Sequence, residues 1–173
     1  MKIVLKRILV PTDFSDGARS AVIYGLALAR EFRASLHLIH VVDEVSGVDP
    51  LIMALPTRKA VERQIETRAW QELRTLLPRH DPRHVRAVLA LEWGTPAVEI
   101  VRYAKTHAID LIIIGTARRD VQHLIAGRVT EGVMRQAPCP VLTLHRPERE
   151  FVMPSVSGKE TRLPGHLHPA VPR

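Results

Sequence analysis

A chain of 173 residues has room for one domain with a full hydrophobic core, whereas two domains would be cramped. A hydrophobic share of 46% and a mean hydropathy near zero fit a globular protein, and the longest apolar runs are too short for a membrane-spanning helix. The net charge of +7, from 25 Lys+Arg against 18 Asp+Glu, favours anionic partners, but acidic residues interrupt the positives and no basic run is interleaved with stackable aromatics, so nucleic acid is disfavoured.

The opening Met1-Lys2-Ile3-Val4-Leu5-Lys6-Arg7 holds no apolar leader and no small-residue cleavage site, which argues against secretion. The single cysteine, Cys139, cannot form an internal disulfide, in agreement with a reducing, cytoplasmic setting. Residues 7–13, Arg7-Ile8-Leu9-Val10-Pro11-Thr12-Asp13, predict a buried strand ending in a turn, and Ser15 or Asp16 stands where the next helix needs a cap. In that helix Ala21, Tyr24, Gly25, Leu28 and Ala29 recur at helical spacing, a small-residue face able to approach a sheet closely. Residues 36–42 predict the second strand.

A loop from Asp43 to about Pro56 follows, in which Met53 and Leu55 form either a flap over a crevice or an apolar patch for a partner. The next helix, roughly 57–77, carries Val61, Ile65, Ala69, Leu73 and Leu76 on one stripe with Trp70 beside it, and Pro78 and Pro82 end it. Residues 84–91 predict the third strand, after which Trp93 packs at the core edge. Gly94-Thr95-Pro96 turns the chain, with Thr95 as cap and Pro96 at the first position of a helix reaching about His107. A fourth strand at 110–114, a Gly115-Thr116 turn, a helix from 122 or later to 136, and a fifth strand at 141–144 complete the pattern. Beyond residue 146 the chain changes character. Prolines at 147, 154, 164, 169 and 172 mark 147–173 as a mobile tail behind a domain of residues 1–146.

Strands alternating with helices imply an α/β fold with a parallel, doubly wound sheet. Ligands of such sheets collect outside the carboxyl ends of the strands, where strand order reverses. If the first and fourth strands are neighbours there, Asp13 and the loop after Gly115 share one crevice. Asp13 would accept hydrogen bonds from an amino or hydroxyl group, while amides around Gly115 and Gly127–Val129 would donate to phosphate. The alternative is structural: Asp13 caps a turn and Gly115 lets the strand exit. Arg118, Arg119 and Arg128 clamp a phosphate, or else fill its space or pair with Asp120 and Glu131.

Nothing matches a glycine-rich loop closing in Gly-Lys-Ser/Thr, which disfavours a P-loop ATPase. His37 and His40 point to opposite faces of one strand and cannot share a metal. His166 and His168 lie in the tail, and no metal is assigned to them. Cys139, between two prolines, reads as a buried inert thiol. His80, Asp81 and His84 fall at the amino-terminal edge of the sheet, the wrong end for an α/β active site. No base, nucleophile and orienting group converge on the crevice, which disfavours a metabolic hydrolase and leaves enzymatic activity open.

Five segments resemble the universal stress protein family over roughly residues 4–145: 7–15, 36–42, Gly94-Thr95-Pro96 with Ala97 and Ile100, 110–116, and 133–142. The resemblance implies a five-stranded, Rossmann-like sheet in the order 3-2-1-4-5 and a homodimer through the last strand, Val141, Leu142, Thr143 and Leu144. One group of the family binds ATP or AMP. Carried over, it implies adenine contacts from Asp13, beside Pro11 and Thr12, and from backbone at Val41, with ribose and phosphate on the loop beginning at Gly115. That group's phosphate motif is Gly, two residues, Gly, nine residues, Gly, then Ser or Thr. Here Arg118 stands at the second glycine, eight residues separate it from Gly127, and Arg128 takes the hydroxyl position. The expectation is a cytosolic stress-response or regulatory dimer that works through partners, requires no cofactor and binds nucleotide weakly or not at all. The alternative is an ATP- or AMP-binding switch, with or without slow hydrolysis.

Overall fold

The computed structural model of the chain describes residues 4–43, 58–78, 85–116 and 127–144. Unbroken isoleucine, leucine and valine in β1 (Arg7–Pro11) and β4 (Leu111–Gly115) suit strands covered on both faces. These two lie at the centre of a parallel sheet, flanked by β2 (Ser35–Val42), β3 (Ala87–Trp93) and β5 (Val141–Leu144) in the order β3-β2-β1-β4-β5. Helices α1 (Asp16–Phe32), α2 (Arg58–Thr75), α3 (Pro96–Thr106) and α4 (Arg128–Gln136) connect them. The α/β class, the parallel sheet and its strand order agree with the sequence reading.

The two-residue alternation of strand side chains divides the core. Ile8, Val10, Leu36, Leu38 and Ile113 pack against Ala21, Val22, Leu26 and Ala29 of α1 and Leu73 of α2. Leu9, Ile39, Ile112 and Ile114 face Ile100, Tyr103 and Ala104 of α3 and Val133 of α4. Helices therefore cover both faces. The small face expected on α1 is required by contact: a Cβ on Gly25 would stand 2.7 Å from Val10 Cγ2 and 3.0 Å from Leu36 Cδ1. Ser15 rather than Asp16 caps α1, its Oγ accepting the Ala18 N–H at 3.3 Å.

Several boundaries differ from expectation for local reasons. β1 stops at Pro11 instead of Asp13 because Phe14 takes a left-handed φ of 65° and turns the chain. β3 begins later and runs further than expected, since its ladder with β2 extends from Leu36↔Ala87 to Val42↔Trp93. Trp93 closes that strand, and its indole N–H donates to Glu66 Oε1 of α2 at 3.1 Å, the edge role expected of it. Thr95 occupies the N-cap of α3, yet its hydroxyl makes no cap bond; its carbonyl accepts from Val98 and Glu99. The expected flap at Met53 and Leu55, the His80–His84 turn, Arg118 and Arg119, His166 and His168, and the 147–173 tail lie outside the described residues. No helix among the described residues is long and apolar enough to cross a membrane.

Candidate functional site

β1 and β4 pair only at Ile8↔Leu111 and Leu9↔Ile112; further along, each strand is free to send its chain to a different face of the sheet. The crevice where they part holds a cavity of about 360 Å³. Pro11, Thr12, Asp13, Val41, Gly115, Gly127, Arg128 and Val129 all line it, so the residues expected to share a site come together there. Arg118 and Arg119 of the same expectation lie outside the described residues. Ile39, Ile100 and Ile114 supply an apolar wall, and Ala18, His40, Pro96, Thr116 and Thr130 complete the lining.

Those additional residues carried a signal that motif reading passed over. Pro96 opens α3 directly after β3, and Thr130 is the third residue of α4; both helix starts must lie at the carboxyl end of a parallel sheet. Ile100 is one turn into α3 and faces the sheet, 2% exposed, so the cavity wall is also core.

The lining is chemically mixed. Asp13 uses Oδ1 to accept the Ser15 N–H at 3.0 Å, and nothing else among the described residues engages its carboxylate. Asp13 thus braces its turn, as the structural alternative had it, while its second oxygen is available to a ligand. Also on the lining, α4 begins at Arg128 with Gly127 as N-cap, and no side chain caps the helix. The first N–H groups of a helix have no partners within it, and the helix dipole adds positive potential. The Arg128 guanidinium reinforces that end, with Glu131 opposing it from the same turn.

The two glycines expected to shape a phosphate loop play different parts. A Cβ on Gly115 would run into the Gly17 carbonyl and stand 2.9 Å from Ala18 N, whereas a Cβ on Gly127 would meet nothing within 4 Å. Gly115 is therefore demanded by the first turn of α1, which packs against the end of β4. Loop permissiveness does not explain it.

His37 and His40 do face opposite sides of β2. His37 Nδ1 lies 2.9 Å from the Tyr103 hydroxyl of α3, while His40 Nδ1 lies 2.8 Å from the Thr12 carbonyl oxygen. Burial, and after it the charges of His107, Arg7 and Arg86, hold the His37 imidazole below its ordinary range. Burial also pushes the Cys139 thiol up, with Asp110 acting in the same direction, as suits an inert sulfhydryl. Val141, Leu142, Thr143 and Leu144 form β5, which among the described residues pairs with β4 alone and ends the sheet.

Comparison with known proteins places this architecture. A universal stress protein from Archaeoglobus fulgidus in complex with dAMP superposes with a TM-score of 0.55 at 18% identity, over 82% of this chain and 98% of that one. At that identity the likeness is one of fold. Universal stress protein UspA from Lactobacillus plantarum reaches a TM-score of 0.63 at 27% identity, over 83% and 99% of the two chains. Universal stress protein MJ0531 of Methanocaldococcus jannaschii is 32% identical over 158 residues, 84% of this chain and 85% of its own length. The model of the Universal stress protein family matches residues 5–145, nearly the whole described fold. With strand order, crevice and sequence match in agreement, the chain belongs to the universal stress protein family.

Proposed function

We propose that the crevice binds an adenine nucleotide and that the protein is a nucleotide-dependent regulator of the stress response. The observation that carries this reading is one cavity lined by a carboxylate, an apolar wall, and a helix start bearing Arg128 that no side chain caps. A flat base fits against Ile39, Ile100 and Ile114, with its amino group toward Asp13. Phosphate falls to the amides of Arg128–Thr130, as anions do at helix starts. About 360 Å³ is within the range of small-ligand sites. The dAMP held by the Archaeoglobus fulgidus protein agrees in ligand class, though that protein shares only the fold with this chain.

Titration calorimetry with AMP, ATP and adenosine tests the reading. Asp13→Asn is expected to weaken all three by roughly tenfold, the effect of one hydrogen bond to a charged group. Arg128→Ala is expected to weaken ATP more than adenosine; equal losses would remove its phosphate role. Absence of binding at millimolar nucleotide would favour the second reading, in which Arg128, standing where a hydroxyl is expected, has closed the phosphate end and the protein acts through partners alone.

Self-association through β5 is part of the same reading. The strand leaves one edge unpaired among the described residues, and Leu142 on it is 37% exposed. Unpaired edges recruit further strands, and a charge on the edge blocks them. Leu142→Lys is expected to convert a dimer to monomer in sedimentation equilibrium without loss of fold; an unchanged mass would locate any dimer contact elsewhere.

A further inference from the structure

The turn that brings Asp13 to the crevice is held from the neighbouring strand. His40 Nδ1 lies 2.8 Å from the Thr12 carbonyl oxygen, an atom that can only accept, so this nitrogen carries the proton and donates. The Phe14 ring rests against the same imidazole, with centroids 4.4 Å apart and planes inclined by 34°. Phe14 itself has a φ of 65°, a left-handed conformation that a bulky residue keeps only when its surroundings impose it. Two more bonds complete the turn. Thr12 Oγ1 accepts the Phe14 N–H at 3.0 Å, and Asp13 Oδ1 accepts the Ser15 N–H at 3.0 Å. The Thr12 N–H is tied to the Ile39 carbonyl at 2.9 Å.

Four backbone groups around Asp13 are thus fixed, and among the described residues His40 is the side chain from another element that bonds the turn. Without it, the Thr12 carbonyl loses its donor and Phe14 the surface that supports its strained backbone. The carboxylate would then swing with the turn. We infer that His40 is a positioning residue for the crevice: it locks residues 12–14 so that Asp13 meets a ligand with its free carboxylate oxygen. The inference rests on the nucleotide reading of the cavity.

The test uses His40→Leu, which fills the space without a donor, and His40→Asn, whose amide N–H can replace Nδ1–H. AMP affinity is expected to fall about tenfold in His40→Leu, as in Asp13→Asn, and to stay within about threefold of the parent in His40→Asn. If Asp13→Asn loses affinity while His40→Leu binds as the parent does, the inference fails and the nucleotide reading stands. If the parent binds no AMP, the nucleotide reading fails, and the turn itself decides the role of His40. Long-range ¹H–¹⁵N spectra of the parent should then show the Nδ1–H tautomer, and exchange of the Phe14 and Ser15 amides should accelerate in His40→Leu but not in His40→Asn. An Nε2–H tautomer, or unchanged exchange, would overturn the positioning role. The tautomer and the Asn variant decide the matter even should His40→Leu fail to fold.

Discussion

Gly115→Ala is expected to destabilise the protein by about 3 kcal/mol or more, near the top of the range for overpacking, because the added methyl runs into the Gly17–Ala18 peptide group. The Gly17 carbonyl and the Ala18 nitrogen belong to the first turn of α1, which cannot yield as a side-chain tip would. To admit the methyl, α1 must lift from β4 or β4 must leave the sheet, and either movement distorts the crevice. For a chain of this size such a loss lowers the thermal midpoint by roughly 6–12 °C. Gly127→Ala supplies the contrast. Its methyl enters open space and its φ of −56° suits any residue, so the change should cost under about 1 kcal/mol, mainly as a poorer cap. Urea denaturation of both variants checks the pair, and similar losses for the two would show that the α1–β4 contact is not what Gly115 serves.

Acidification is expected to weaken the fold through His37. Ser35 donates its hydroxyl hydrogen to the Lys6 carbonyl, which leaves its oxygen to accept from His37 Nε2–H at 3.3 Å, while Nδ1 accepts from the Tyr103 hydroxyl at 2.9 Å. The neutral ring is fully matched. Protonating it is opposed first by burial and then by the charges acting on it, from His107, Arg7 and Arg86, which are all positive. His107 stacks on Tyr103 with ring centroids 3.8 Å apart, on the same side of His37. A folded-state pKa held below the ordinary value of about 6.5 means the unfolded chain takes up this proton first. The contribution is therefore complete above about pH 6.5 and is lost progressively as pH falls toward the lowered folded value. Urea midpoints at about pH 7.5 and 5 should show the loss, and His37→Gln should reduce it; equal pH dependence in both proteins would assign it to other histidines. At neutral pH, Tyr103→Phe should cost about 1–3 kcal/mol by leaving Nδ1 without its donor.

How far the sequence could be read depends on whether a signal was local. The unbroken apolar runs of β1 and β4 and the Gly94-Thr95-Pro96 turn declared themselves within a few residues, and the resemblance supplied the strand order that local patterns cannot. Asp13 and Gly115 were placed together by that order, and they do line one cavity. The reason for Gly115 was not legible, since its cause is α1, about a hundred residues earlier in the chain. The His37–Tyr103 bond, across 66 positions, was equally hidden. The apolar wall was missed for another reason: Ile39, Ile100 and Ile114 look like core, and they are core, lining the cavity while staying buried.

The brief ladder between β1 and β4 has a mechanical consequence. It leaves β3, β2 and β1 on one side and β4 and β5 on the other, laddered at Ile8↔Leu111 and Leu9↔Ile112. The Asp110 N–H also ties them, donating to the Arg7 carbonyl at 2.9 Å, and beyond Leu9 the seam is open except where α1 packs across both. Asp13 belongs to the first side and the start of α4 to the second. A molecule lying between them would act as a rivet at the open end of that seam, and a surface reading the stiffness there need not touch the molecule itself.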